Sequence, residues 1–148
     1  VEDWLFGAGR PCILYPDSSK QNFSADNVLI CWDFSRSAAR TVSDALPFLH
    51  NAKRVNVAVF RGEKDIPIAD PTTPLIAFLK AHGIAVEAKD VVIGKRTIGQ
   101  AILEHAETTG VNLILMGAFG HSRLREFLLG GATRELLAKS TIPILMSH

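Results

Sequence analysis

The stretch NLILMGAFGHSRLREFLLGGAT, residues 112–133, joins an apolar run to a glycine-rich loop and the start of a helical pattern. The run 113–116 is typical of a strand buried in a sheet. The glycines that follow are Gly117, Gly120, Gly130 and Gly131. Glycines just after a strand and just before a helix let backbone N–H groups approach an anion closely, and the helix N-terminus adds partial positive charge. The stretch therefore predicts either a phosphate site at the carboxyl end of a parallel strand or simple turns at those positions.

Polar side chains lie inside the same loop. Arg123 and Arg125 supply cations that could neutralise phosphate, although arginines in such a loop more often form a solvated surface. Ser122 offers a hydroxyl contact, and His121 is expected to be exposed.

Composition limits the class of protein. The chain has 148 residues, enough for one domain with a proper core, and 47% of them are hydrophobic. A net charge of +1 argues against nucleic acid or a membrane surface as the partner. The apolar runs are too short for a membrane span, and no signal-peptide pattern opens the chain, so a cytoplasmic location is expected. Cys12 and Cys31 are expected to be buried apolar residues rather than a disulfide or metal pair.

Strands and helices alternate along the main part of the chain. The pattern predicts strands at 27–32, 55–60, 86–93, 113–116 and 143–147, and helices at 38–50, 74–82, 97–109 and after Gly131. Helix-length crossovers of this kind favour one doubly wound α/β domain, with a five-stranded, mostly parallel sheet. Charged residues make 86–93 a predicted edge strand, and the loop 61–73 is long enough to be a flap.

Local signals refine the helices. Ser35 or Ser37 is a plausible N-cap for the helix 38–50, and Pro47 should kink or end that helix. Gly83 is a good C-cap for the helix 74–82. In the helix 97–109, one face is expected to carry Ile98, Ala101, Ile102 and His105.

The first residues repeat the last ones. Residues 1–14 and 133–146 each lead from a helix end to a short apolar strand at the same offset, with Pro11 matching Pro143. One hypothesis is that 1–16 is the last strand segment of a preceding domain, 17–26 is a linker and 27–148 is the main domain. The alternative is a coincidental helix-turn-strand that decorates a single domain.

The predicted topology also indicates where a ligand binds. Doubly wound sheets take ligands beyond the carboxyl ends of strands, where the strand order reverses. Asp33 follows the first strand of the main domain and Gly117 ends the fourth, so both should border that crevice. The Asp33 carboxylate can accept hydrogen bonds from ribose hydroxyls or an adenine amine, or it can simply cap the following helix.

The residues of the glycine loop resemble a known signature. Gly117, Gly120 and Gly130 match the nucleotide-binding pattern Gly-x2-Gly-x9-Gly-Ser/Thr of the universal stress protein family, whose Ser/Thr place holds Gly131 here. The resemblance covers residues 27–148 and implies an adenine nucleotide α-hydrolase-like, Rossmann-like fold. It also implies ATP, or AMP or ADP, as the ligand, with Mg²⁺ as a further ion.

The resemblance assigns roles to single residues. Asp33 matches an aspartate that contacts the nucleoside, and Phe60 falls near an adenine contact, although core packing is the more common role there. The phosphate loop is expected to comprise Met116, Gly117, Gly120, Ser122, Arg123, Gly130, Gly131, Ala132 and Thr133. Gly131 lacks a hydroxyl, which should weaken binding by about tenfold to a hundredfold unless Thr133 compensates. Phe34 replaces a small residue and could narrow the pocket.

The resemblance implies a stress-response regulatory module that binds an adenine nucleotide and has no catalytic residues, with slow ATP hydrolysis at most. One alternative is a family member without nucleotide binding that acts through protein contacts. The other is a related adenylate-forming enzyme, although no Walker lysine, nucleophile elbow or Cys-x-x-Cys is present and the histidines lack metal-ligand spacing. Members of the family pair through the terminal strand, here 143–147, as a homodimer; in a tandem protein the strand 12–15 could take the partner's place.

Overall fold

The computed structural model describes residues 9–17, 22–62, 72–118 and 131–148. The strands are β1 (Cys12–Leu14), β2 (Asn27–Cys31), β3 (Arg54–Arg61), β4 (Glu87–Val92), β5 (Leu113–Gly117) and β6 (Ile144–Ser147). The helices are α1 (Arg36–Asp44), α2 (Leu46–Leu49), α3 (Thr73–Ala81), α4 (Ile98–Thr108) and α5 (Gly131–Lys139).

All six described strands form one sheet in the order β1-β6-β5-β2-β3-β4. The five strands from β2 to β6 are parallel to their neighbours, and β1 pairs with β6 in the antiparallel sense. This confirms the predicted α/β fold with a five-stranded parallel sheet and an extra N-terminal strand. The chain runs outward from β2 through β3 to β4 and then returns to β5 on the other side of β2. The strand order therefore reverses at β2.

The sheet has an apolar core on each face because β2 and β5 are buried on both sides, as central parallel strands must be. Leu29 and Ile114 point to the face covered by α4 and α5. Val28 and Leu115 point to the opposite face, where α1, α2 and α3 pack. The near-continuous apolar runs of these two strands follow from this double burial.

Two helices end through the same motif. After α3, the N–H of Ile84 donates to the carbonyl of Leu79 at 3.0 Å and the N–H of Gly83 donates to that of Lys80 at 2.9 Å. This is a Schellman ending, and it requires the left-handed backbone that Gly83 adopts at φ +73°. The predicted C-cap is therefore confirmed, and Gly110 ends α4 in the same way at φ +66°.

The predicted helix 38–50 is two helices. The first, α1, ends at Asp44, and α2 begins at Leu46 with Pro47 in its first turn. Proline has no N–H and its ring clashes with the carbonyl four residues earlier, so the first helix cannot continue through Pro47. The predicted range 38–50 therefore spans two helices, and the interruption at Pro47 was expected.

One residue of the predicted helix face lies outside the core. Ile98 is the first residue of α4 and is 45% exposed, whereas Ala101 and Ile102 are buried in the core. The reason is that α4 begins at the rim of the sheet, where Thr97 caps it and Gln100 completes the capping box. Ile98 lies above the core rather than in it.

The strand β4 forms the edge of the sheet that lies furthest from β1. It is exposed along almost its whole length and carries Glu87, Lys89 and Asp90. This position confirms the predicted edge. Charged residues at such an edge discourage pairing with another chain.

Within the described ranges, no helix is both long enough and apolar enough to cross a membrane.

Candidate functional site

The carboxyl ends of β2 and β5 are neighbours. The two strands are parallel, with Cys31 opposite Met116 at their ends. Gly117 closes β5 one residue later, and Asp33 follows β2 by two residues. The structure therefore brings Asp33 and Gly117 to the same rim of the sheet, at the point where the strand order reverses.

Gly117 is needed for close packing at this rim. A Cβ atom on Gly117 would lie 2.5 Å from the backbone nitrogen of Ala38 and 2.6 Å from Oγ of Ser37. Real Cβ atoms essentially never approach backbone atoms this closely, so the first turn of α1 occupies the space where a side chain would be. The missing side chain lets α1 begin directly against the end of β5.

The loop between β2 and α1 is shaped by its own side chains. Oδ1 of Asp33 accepts a hydrogen bond from the N–H of Ser35 at 3.0 Å. Oγ of Ser35 accepts from the N–H of Ala38 at 3.0 Å, which makes Ser35 the N-cap of α1. Asp33 thus orders the loop, and Ser35 rather than Asp33 caps the helix.

Phe34 has an unusual backbone in this loop. Its φ is +63°, the only positive value at a non-glycine residue in the described part of the chain. The residue is 38% exposed, and its ring meets the ring of Trp32 edge to face, with centroids 6.0 Å apart. Phe34 therefore presents an aromatic surface at the rim, next to Asp33.

A buried threonine links α1 to the carboxyl ends of β5 and β6. Oγ1 of Thr41 lies 2.8 Å from the carbonyl of Ser37 and 3.1 Å from that of Met116, and it accepts from the N–H of Ser147 at 3.0 Å. Oγ of Ser147 in turn donates to Asp44 at 2.7 Å. Thr41 was not predicted from the sequence, although a threonine inside a helix can bond back to the carbonyl four residues earlier.

Phe60 has a packing partner. Its ring meets the ring of His105 edge to face at 5.9 Å, and it packs against the core on the side of α4 and α5. Burial lowers the pKa of His105, and the positive charge of Lys89 lowers it further. The neutral imidazole is therefore the favoured partner of Phe60.

Two buried donors near the rim have no acceptor among the described residues. Nε1 of Trp32 and Nη2 of Arg61 are both buried and make no hydrogen bond within that part of the chain. Nε of Arg61 lies 3.4 Å from a carboxylate oxygen of Asp90. Neither donor was singled out from the sequence, because a tryptophan and an arginine at strand ends carry no pattern that marks them.

The glycine loop itself is only partly described. Four of its predicted phosphate contacts, Gly120, Ser122, Arg123 and Gly130, lie outside the described residues, as do His121 and Arg125. Gly131 opens α5 and has open space around its Cα. The side chains of Met116 and Thr133 are buried, with Thr133 only 4% exposed, and Ala132 packs partly against the core. These three residues could therefore offer a ligand mainly their backbone.

The described residues contain no cluster of three or more metal-ligating side chains.

Cys12 and Cys31 are free thiols, and Cys31 is buried whereas Cys12 is only half-buried. Burial raises the pKa of the Cys31 thiol, and the negative charge of Asp33 adds to the effect. The Cys31 thiol beside the rim therefore stays protonated and is a poor nucleophile.

Comparison with known sequences identifies relatives. The sequence model of the universal stress protein family matches residues 25–148. A universal stress protein of Synechocystis, Slr1230, is 28% identical over 142 residues, which cover 92% of this chain and 46% of that protein. The universal stress protein MJ0577 of Methanocaldococcus jannaschii is 33% identical over 66 residues, covering 43% of this chain and 38% of that protein. The chain spans about half the length, or less, of these relatives.

Solved structures share the fold. A universal stress protein from Archaeoglobus fulgidus superposes with a TM-score of 0.69 at 21% identity, over 91% of this chain and 49% of that one. A universal stress protein solved in complex with cAMP superposes with a TM-score of 0.66 at 23% identity, over 83% of this chain and 96% of that one. At these identities the similarity establishes the architecture.

Proposed function

Because this chain belongs to the universal stress protein family, we propose that it is a stress-response regulatory module that binds an adenine nucleotide at the rim of its sheet. The observation that carries the proposal is the register of β2 and β5, in which Cys31 faces Met116. This register brings Asp33 beside Gly117, the first glycine of the nucleotide-binding spacing. A crevice at such a reversal of strand order is the usual ligand site of doubly wound sheets.

The proposed roles divide between the two strands. Asp33 has one carboxylate oxygen in contact with Ser35, and a carboxylate has further lone pairs to accept from ribose hydroxyls or the adenine amine. The glycine loop from Gly117 to Gly131 takes the phosphates through backbone N–H groups, with the N-terminus of α5 adding partial positive charge. Ser122 and Arg123 supply a hydroxyl and a cation.

The ligand class is ATP, AMP or ADP, with Mg²⁺ accompanying the phosphates. The structure of a related protein in complex with cAMP supports an adenine nucleotide as the ligand. The protein acts as a sensor rather than an enzyme in this proposal, because the described rim residues include no obvious general base for a water that attacks phosphate.

Calorimetric titration with ATP, with and without Mg²⁺, tests the proposal. The variant Asp33→Asn keeps an oxygen acceptor for the N–H of Ser35 but removes the negative charge, so it should fold normally and bind ATP more weakly. Gly131→Ser adds a hydroxyl where there is open space, and should tighten binding by about tenfold or more. No heat of binding for the folded parent, and no competition by AMP or ADP, would refute nucleotide binding.

The second candidate is a protein-interaction module, and the pairing of β1 with β6 favours it. We propose that residues 1–16 are the end of a preceding domain of the same fold, joined by the linker 17–26 to the domain 27–148. The pairing of β1 with β6 would then join the sheet of the preceding domain to the sheet of the domain 27–148. A gene sequence without a second copy of the fold upstream of residue 1 would refute this organisation.

A further inference from the structure

The loop between β2 and α1 contains two unfavourable local features in three residues. Phe34 adopts the left-handed backbone conformation, in which the Cβ of an ordinary residue crowds the backbone. Two residues earlier, Trp32 buries its indole N–H without an acceptor in the described part of the chain. Glycine at position 34 would remove the first feature entirely, because it has no Cβ.

Neighbouring interactions hold Phe34 in this conformation. The hydrogen bond from the N–H of Ser35 to Asp33 closes the loop directly across Phe34, at 3.0 Å. Oγ of Ser35 then binds the N–H of Ala38, which anchors the loop to α1. The ring of Trp32 supports the Phe34 ring from one side. The aromatic ring is therefore held in a defined position although more than a third of the residue is exposed.

Backbone strain and unpaired buried donors concentrate at functional sites, where interactions elsewhere in the fold offset their cost. Here they occur at the rim of the sheet to which Asp33 and Gly117 both belong. We propose that Phe34 is a specificity-determining residue whose ring stacks on the planar base of the bound nucleotide. The inference rests on the proposed function and adds a base contact to it.

The competing explanation is that Phe34 only packs on Trp32. Phe34→Gly removes the ring and relieves the left-handed conformation together under either explanation, so ATP binding separates the two. If the ring only packs on Trp32, the folded variant binds ATP like the parent. If the ring stacks on the base, the variant binds ATP less well, and thermal unfolding serves to show that the variant is folded.

The experiment compares the parent with Phe34→Gly and Phe34→Tyr, by thermal unfolding without ligand and by calorimetric titration with ATP. Inorganic tripolyphosphate is a second probe, since it carries the phosphates but no base. The matched control is Phe23→Gly, because Phe23 is also an exposed aromatic, 42% accessible, in an edge-to-face pair with Phe48 at 5.9 Å. Phe23 precedes β2 and so lies at the opposite end of that strand from the rim.

Phe34→Gly should weaken ATP binding by about tenfold, as expected for loss of one stacked base, with no change for tripolyphosphate. Phe34→Tyr should bind ATP like the parent, and so should Phe23→Gly. ATP affinity of Phe34→Gly within twofold of the parent, or equal loss for both probes, would overturn the base contact and leave nucleotide binding intact. A parent that binds no ATP would overturn the proposed function, and the base contact with it.

Discussion

Ile13 of β1 lies opposite Leu145 of β6 at the centre of an antiparallel pairing. The flanking pairs are Cys12 with Met146 and Leu14 with Ile144. The internal repeat places Ile13 and Leu145 at equivalent positions, so exchanging the two strands leaves the pairing unchanged. A local twofold axis passing between Ile13 and Leu145 would produce this symmetry, and it is the relation expected between two copies of one domain.

Ile13→Pro should weaken this pairing, because proline cannot donate a backbone hydrogen bond and its fixed φ of about −65° departs from the extended strand backbone. The edge of β6, whose described residues are all buried, would then be open to a second chain. We expect the variant to form a dimer at concentrations where the parent is monomeric, as measured by sedimentation velocity. Asp17→Pro, beyond the strand, is the control, and an unchanged monomer for Ile13→Pro would contradict the prediction.

Gly117→Ala should destabilise the protein by about 1–3 kcal/mol or more, because its Cβ would overlap the backbone of Ala38 and Ser37. Gly131→Ala is the matched control within the same signature. It has open space and lies in the helix α5, so it should stabilise by about 0.4–1 kcal/mol. Urea unfolding of both variants checks the difference, and similar midpoints would mean that α1 can move away from β5.

Thr41→Val should cost about 1–3 kcal/mol of unfolding free energy. The variant keeps the shape of the side chain but leaves the buried N–H of Ser147 without its acceptor. Thr108→Val is the control, because the Thr108 hydroxyl also bonds to helix carbonyls but is exposed, and its loss should stay within about 0.5 kcal/mol. Equal losses of unfolding free energy for Thr41→Val and Thr108→Val in urea would show that the buried hydrogen bonds of Thr41 add no stability.

Glu135 should make stability depend on pH. The hydroxyl of Thr97 donates to its carboxylate and, with Lys139, lowers the pKa of Glu135 below its ordinary value of 4.5. Ionised Glu135 therefore stabilises the fold above that pH, and the contribution disappears as pH falls through the lower folded-state pKa. The difference in stability between the parent and Glu135→Gln should shrink on acidification below pH 4.5. A difference that is constant with pH would exclude this origin.

His105 should titrate below its ordinary pKa of 6.5, since burial and Lys89 both disfavour its charged form. Its neutral form supports the fold fully above that value, and the support is lost as pH falls towards the folded-state pKa. Proton NMR of the imidazole measures this directly. Lys89→Met should raise the pKa, whereas Lys53→Met, which removes the partner of Asp26, should leave it unchanged. A His105 pKa above 6.5 in the parent would contradict the burial argument.

Local sequence signals predicted most elements and several of their ends. Ser35 caps α1, Gly83 ends α3 in the left-handed conformation, and Pro47 interrupts the helix that contains it. Each of these depends on the residue itself and a few neighbours along the chain. Periodicity placed Ile98 on one helix face with Ala101 and Ile102, but it does not say where the helix leaves the core, and Ile98 is exposed.

The amino-acid sequence by itself determined the alternation of strands and helices, the parallel sheet and a glycine spacing that resembles the family's nucleotide-binding signature. Periodicity and turn chemistry are local, so they can be read without knowing the fold. Only the tertiary structure decided that Gly117 must be small and that Thr41 joins Met116 to Ser147. These relations depend on strand register and on contacts between residues as far as 106 positions apart, as Ser147 and Thr41 are. No local pattern encodes such distances, because the packing of the whole sheet sets them.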